Sequence, residues 1–68
     1  MRLQAGQRIT VVFKSTMTVF NGTVVNDVPD ALANDAHWQL RCDVGQDEPR
    51  YYTMHGWQLR EEMIRIHE

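Results

Sequence analysis

The chain has 68 residues and a formal net charge of −2 at pH 7, from seven basic and nine acidic side chains. So short a chain forms one domain with a small core, and its charge argues against broad, sequence-independent nucleic-acid binding, which depends on neutralising phosphates. Cys42 is the only cysteine, so no disulfide can form within the chain, and a free thiol is typical of a reducing compartment.

The N-terminus and the hydropathy of the chain predict a cytoplasmic protein without membrane association. No apolar stretch is long enough to span a bilayer. The first ten residues, MRLQAGQRIT, lack the apolar core of a signal peptide.

The first two predicted strands lie near the N-terminus. Residues 8–14, RITVVFK, place Ile9, Val11 and Phe13 on one face, which is typical of a strand with one buried side. Residues 17–27 are rich in branched and aromatic side chains on both faces. That pattern indicates a strand buried on both sides or crossing a barrel corner.

Two polar segments compete as the turn between these strands. Asn21-Gly22 is a strong hairpin signal. A turn at residues 14–16 instead places Gly22 inside a long second strand, where glycine marks a bulge or a tight bend. We favour this second arrangement, because a five-stranded chain of this length has to curl its sheet to bury a core. Replacing Gly22 with valine should then damage folding.

The middle of the chain predicts a loop followed by a regular strand. Pro29 ends the second strand because it cannot donate a ladder hydrogen bond, and residues 31–36 form a loop or a single helical turn. Residues 37–44 alternate apolar and polar side chains, so we expect a strand with Trp38 and Cys42 buried.

The C-terminal part predicts a hairpin and a last strand. The expected elements are a turn at 45–49, a strand at 50–55 interrupted by Gly56, a short 3₁₀ turn at 60–62 and a fifth strand at 63–67, with a helix over 57–66 as the alternative.

These elements together predict an all-β fold, a small five-stranded and strongly bent antiparallel barrel with one short 3₁₀ or helical turn. Their order resembles the Sm-like small barrel, and the SH3-like barrel has a comparable order. Residues 9–28, ITVVFKSTMTVFNGTVVNDV, are similar to the first Sm motif, with Lys14 before the turn and Gly22 in the bent strand. Residues 53–59, TMHGWQL, are similar to the second motif, although His55 replaces the usual arginine.

The Sm-like resemblance implies a site for single-stranded, uracil-rich RNA. In that family the corresponding residues line the pore of a ring, and here they would be Asp27, Asn34 and His55. An unstacked base needs a planar partner, an amide and a polar or positive clamp. The alternative is that Asp27 and Asn34 are ordinary turn residues.

Aromatic side chains provide a second candidate site. Tyr51 and Tyr52 are adjacent on a predicted strand, so they point to opposite faces and we expect one of them to face solvent. Exposed Tyr or Trp is a typical anchor for a protein partner. The candidate partner-binding residues are Tyr52, Trp57, Tyr51 and His55, whereas Gly22 and Gly56 are structural.

Neither a metal site nor a catalytic constellation is recognisable. Side chains of metal-ligating types occur, but their spacing matches no zinc pattern; they are His37, Cys42, His55 and His67. No carboxylate is paired with an identifiable base or nucleophile. We therefore expect a protein that is not an enzyme and has no cofactor and no metal.

Two binding functions remain. The first is a regulatory module, an adaptor or inhibitor that docks on a larger and basic protein, as the acidic Sm-like inhibitors of transcription termination factor Rho do. The second is an RNA-binding subunit of an Sm-like ring, which the net charge disfavours. Both imply a partner or self-association, with a homodimer as the default expectation.

Overall fold

A computed structural model describes residues 1–43 and 47–67 and shows a single antiparallel sheet of five strands. No helical segment within these residues is long and apolar enough to cross a membrane. The sheet order is β4-β3-β2-β1-β5. The strands are β1 (Arg8–Phe13), β2 (Thr18–Val24), β3 (His37–Cys42), β4 (Arg50–His55) and β5 (Ile64–His67), and two 3₁₀ turns occupy Gly56–Gln58 and Glu61–Met63.

The turn between β1 and β2 lies at residues 14–17, which confirms the arrangement with Gly22 inside the second strand. Phe13 is paired with Thr18, and the Met17 N–H donates to the Lys14 carbonyl over 3.3 Å. Met17 has a φ of 54°, a left-handed conformation that closes the turn. The strand therefore begins at Thr18, one residue later than predicted.

Pairing along β2 changes from one neighbour to the other. Gly22 is paired with Ile9 on β1, whereas Val24 is paired with Leu40 on β3. A Cβ atom at Gly22 would overlap the backbone carbonyl of Arg41, so the close approach of β2 to β3 requires a residue without a side chain. The strand ends at Val24, three residues before the predicted end at Asp27.

One face of the sheet carries the core. Strand β3 alternates exposed residues with buried or half-buried ones as predicted, and Trp38 is buried as expected. In β1, Ile9 and Val11 are buried, whereas Phe13 on the same predicted face is half-buried. Leu3 lies against the same core, held by a two-way backbone pairing with Val28 at 3.0 and 2.8 Å. The buried apolar residues are Leu3, Ile9, Val11, Val24, Val28, Ala31, Trp38, Leu40, Met54, Leu59 and Ile64.

Cys42 corrects one expectation about this core. Its side chain is half-buried, not buried, because Cys42 is the last residue of β3 and lies where the sheet stops. The predicted extension of β3 to Val44, and the first two residues of the predicted turn at 45–49, lie outside the described residues.

The sheet is open rather than closed, so the predicted barrel is not confirmed. Strands β4 and β5 are the two ends of the sheet order. The connection between them contains two separate 3₁₀ turns, with the Leu59 N–H bonded to the Gly56 carbonyl and the Met63 N–H to the Arg60 carbonyl. These i+3 bonds confirm a 3₁₀ turn near residues 60–62 and show that the alternative of a helix over 57–66 is wrong.

Candidate functional site

The outer face of the β3–β4 hairpin gathers most of the predicted partner-binding residues. The hairpin pairs every residue of β3 with one of β4, and alternate pairs point away from the core. We call these outward residues, together with Trp57, the hairpin surface. They are the pairs His37 and His55, Gln39 and Thr53, and Arg41 and Tyr51.

Trp57 and His55 form a stacked pair at one end of the hairpin surface. Their ring centroids are 6.0 Å apart and the planes differ by 28°. His37 lies across the strand, with its ring centroid 6.2 Å from that of His55. Trp57 is 66 % exposed, so an aromatic ring of large area faces solvent with its orientation supported from one side by an imidazole.

Gly56 explains why the chain leaves β4 in a way that exposes Trp57. A Cβ atom at Gly56 would overlap the carbonyl of Ala33, and the Gly56 N–H donates to the Ala36 carbonyl over 2.8 Å. The loop before β3 therefore packs directly on the backbone where β4 ends. The 3₁₀ turn that follows turns Trp57 outward and buries Leu59.

Tyr51 and Arg41 occupy the other end of the hairpin surface. Tyr51 is 56 % exposed and borders a shallow depression together with Thr23, Val25 and Arg41. The Arg41 guanidinium lies 3.6 Å from the Asp43 carboxylate. Both side chains of this ion pair are exposed, so water and salt screen it and it leaves Arg41 able to contact a ligand.

Tyr52 lies on the opposite face from Tyr51, so the prediction that the two tyrosines face opposite sides is confirmed. Its half-buried ring packs against Phe20 with 4.7 Å between centroids. Phe20 in turn contacts Phe13 edge-on at 5.9 Å. Tyr52 thus belongs to an aromatic row at the rim of the core, and its predicted contact with a partner would involve the ring edge that this row leaves exposed.

Replacing Tyr52 with alanine is expected to lower the free energy of unfolding by about 2 kcal/mol, because a half-buried ring and its contact with Phe20 are lost. Tyr51→Ala is the matched control and should cost less than about 1 kcal/mol, the range of strand propensities at exposed positions. Urea unfolding followed by circular dichroism measures both. Equal losses in the two variants would contradict their assignment to opposite faces.

The three residues of the implied RNA site have different surroundings. The Asp27 carboxylate accepts a hydrogen bond of 2.6 Å from the Ala5 N–H, so it tethers the N-terminal segment. Asn34 is exposed in the loop that packs on Gly56, and His55 precedes that glycine. The structure therefore brings the loop of Asn34 towards the end of β4, whereas one oxygen of Asp27 is already engaged.

Sequence reasoning missed Arg41 and Val25 as parts of the site. The alternation of residues 37–42 places Arg41 on the outer face, and the hairpin register sets it opposite Tyr51. That signal was present in the sequence. Val25 borders the same depression as Tyr51. Its position depends on the hydrogen bond of 3.0 Å from its N–H to the Gln39 carbonyl, a contact between the residue after β2 and β3, across the loop that joins them.

Groups suited to catalysis or metal binding are sparse. Within residues 1–43 and 47–67, no three His, Cys, Asp or Glu side chains lie close enough together to hold a metal ion. Burial, and secondarily the Asp43 carboxylate, raises the pKa of the Cys42 thiol. The thiol is therefore protonated at neutral pH, and the thiolate needed for nucleophilic attack is disfavoured.

Comparisons of the chain with protein-family models, with curated proteins and with solved structures found no match.

Proposed function

We propose that this protein is a small, non-catalytic regulatory module of the cytoplasm that docks on a larger protein through the hairpin surface. The observation that carries the proposal is the exposed Trp57 stacked on His55. The few residues that dominate binding energy in protein interfaces are enriched in Trp, Tyr and Arg, and the hairpin surface presents one of each, Trp57, Tyr51 and Arg41. A ring already fixed in orientation loses little entropy on binding.

The position of β4 at one end of the sheet is a second reason to place the partner at the hairpin surface. This strand has six residues and is one end of the sheet. An extended segment of a partner that adds to such an edge gains main-chain hydrogen bonds, while neighbouring side chains provide specificity. Tyr51 and His55 project beside this edge, so backbone and aromatic contacts would be made by the same partner.

Acidic residues flank the surface and favour a basic partner. Asp47 and Glu48 are exposed just before β4 begins, and Asp30 and Asp35 are exposed on the loop that packs at its other end. The net charge of −2 has the same sign. Charges of this kind speed up encounter with a positive surface and exclude acidic competitors.

We also infer that the open sheet is a bent small barrel of the SH3-like or Sm-like type. Two features of the sheet support this assignment. Strand β1 lies between β2 and β5, and β2 changes its pairing partner from β1 to β3 near Gly22. A strand shared between two neighbours in this way curls a sheet over its own core.

An RNA-binding function is the second candidate, supported by one observation. The stacked Trp57 and His55 offer a platform of the kind on which unpaired bases stack. The net charge is unfavourable for binding a phosphate backbone. The two functions predict different ligands for the same ring, so one substitution tests both.

Replacing Trp57 with alanine is expected to reduce the recovery of the partner more than tenfold in affinity capture from the cells that make this protein, because loss of a central Trp costs at least about 2 kcal/mol. Met17→Ala is the matched control. Met17 is an apolar side chain that is 85 % exposed but lies in the turn between β1 and β2. Quantitative mass spectrometry of the captured proteins gives the comparison.

Titration with oligouridine completes this experiment. Protein binding through Trp57 predicts weak RNA affinity. The protein-binding function is contradicted if Trp57→Ala and the wild type capture the same proteins equally. It is also contradicted if oligouridine quenches Trp57 fluorescence with an affinity that falls steeply with salt, by a slope of roughly −0.7 per phosphate contacted.

A further inference from the structure

Basic side chains collect at the end of the sheet opposite to β4. Arg65 and His67 lie on the outer face of the end strand β5, and Arg8 lies opposite His67 on β1. We call these three residues the basic strip. The sequences of β1, β2 and β5 contain no Asp or Glu, although the whole chain is acidic.

Within the part of the chain that the structure describes, the guanidinium groups of Arg8 and Arg65 form no ion pair. Among residues 1–43 and 47–67 the one ion pair joins Arg41 and Asp43. Arg8 instead donates to the neutral Thr23 hydroxyl over 3.1 Å, which uses one of its five N–H groups. Arg65 is exposed. An oxyanion reaching these two guanidinium groups would therefore meet N–H donors without displacing a carboxylate of the described residues.

A hydrogen-bond chain fixes the ring of His67. The Thr10 hydroxyl donates to Asn21 Oδ1 over 2.6 Å and lies 2.6 Å from His67 Nε2. Since its single hydrogen is used towards Asn21, the hydroxyl must accept from Nε2–H. The imidazole thus keeps a defined orientation, with Nδ1 directed away from Thr10.

The edge of β5 is suited to an added strand. Strand β5 ends the sheet, and in an antiparallel strand half of the backbone N–H and C=O groups point away from the existing neighbour. Its inward residues are Ile64, which is buried, and Ile66, which is half-buried. A neighbouring strand with apolar residues on that face would cover the exposed part of Ile66.

We propose that β5 binds an extended acidic segment of a partner protein, which adds to the sheet with its acidic side chains facing the basic strip and its apolar side chains facing Ile66. The alternation of basic and apolar residues in IRIH selects a complementary alternation in the ligand. Strand β5 has four residues, so few main-chain bonds are available and charge must supply much of the affinity. Glu61 and Glu62 lie in the turn before β5. Their negative charges would repel a bound segment whose acidic residues continue past Arg65 towards that turn.

This site shares no residue with the hairpin surface, since the basic strip lies on β1 and β5 whereas the hairpin surface lies on β3, β4 and the turn after β4. It goes beyond the proposed function by adding a second surface for a partner, one that prefers acidic ligands where the hairpin surface prefers a basic protein. A module with both surfaces would join a basic and an acidic partner.

The test uses the whole chain and three capped synthetic peptides, measured by NMR titration. The first alternates glutamate and valine, the second replaces glutamate with glutamine, and the third keeps glutamate but carries N-methylated amides along one edge. We expect the first to bind and to shift the amide signals of Arg65 and His67. The second and third should each bind at least tenfold more weakly, since a tenfold change is about 1.4 kcal/mol and a hydrogen bond to a charged group contributes a similar amount.

Two variants locate the peptide on the molecule. Arg65→Gln should weaken binding of the glutamate peptide about tenfold, whereas Arg50→Gln removes the same charge at the opposite edge and should leave it unchanged. The proposal is overturned by equal affinity for the glutamate and glutamine peptides, by no binding of any peptide, or by signal shifts centred on β4. It is equally overturned if Arg65→Gln dissociates a dimer of the wild type, or if oligouridine binds at Arg65 more tightly than the peptide, because β5 would then be a self-association or nucleic-acid surface.

Discussion

Replacing Gly22 with valine is expected to lower the free energy of unfolding by more than about 3 kcal/mol, because the new side chain would overlap the Arg41 carbonyl. Relief requires β2 to move away from β3. That movement would break the pairing of Thr23 with Arg41 and of Val24 with Leu40, the two residue pairs that join these strands. A chain of 68 residues has a total stability of roughly 3–10 kcal/mol, so the variant should be largely unfolded or close to it.

Urea unfolding at 25 °C, followed by far-ultraviolet circular dichroism, measures this loss. Thr53→Val is the matched control, since it also places valine on a strand but on an exposed outer face. Its effect should stay within about 0.5 kcal/mol. A Gly22→Val protein as stable as the control would show that β2 and β3 are further apart than the structure places them. Gly22→Ala should fall between the two, because a single Cβ is the smallest group that meets the carbonyl.

Replacing Gly56 with alanine is expected to cost more than about 2 kcal/mol and to alter the hairpin surface at the same time. The added Cβ would overlap the Ala33 carbonyl, so the loop before β3 has to withdraw. The bond from the Gly56 N–H to the Ala36 carbonyl would then be lost, and both overpacking and a broken buried hydrogen bond contribute to the cost.

Gln58→Ala is the control for this variant, because Gln58 is exposed in the same 3₁₀ turn. Unfolding in urea gives the stabilities, and the signals of the His55 ring in NMR report whether the stacked Trp57 has moved. We expect Gln58→Ala to leave both unchanged. If Gly56→Ala retains full stability and the His55 signals of the wild type, close packing of the loop is not what orients Trp57.

The alternation of side chains in the sequence predicted the hairpin formed by β3 and β4. HWQLRC places an apolar residue at every second position, which puts Trp38 in the core. In RYYTMH the period of two places Tyr51 and Tyr52 on opposite faces. The polar run at residues 14–16 similarly predicted the first turn. These are local properties, because side-chain direction along a strand depends only on the backbone of that strand.

The ends of the strands, and the need for glycine at positions 22 and 56, depend on contacts between segments that are distant in sequence. Nothing near Gly22 in sequence shows that Arg41 lies beside it, and nothing near Gly56 shows the approach of Ala33. The half-burial of Cys42 follows from where the sheet stops, which no residue of β3 specifies. The basic strip was not predicted for the same reason, since Arg8 and His67 meet only when β5 pairs with β1.

The sequence by itself therefore predicted five strands and, along β3 and β4, which residues share a face. Only the tertiary structure decided that β2 pairs with β3 and β1 with β5, that the sheet stays open between β4 and β5, and how Trp57 and His55 come to stack. The physical reason is that strand formation is favoured by an alternating pattern within a few residues. Strand neighbours and ring contacts, in contrast, depend on backbone carbonyls and side chains brought together from far along the chain.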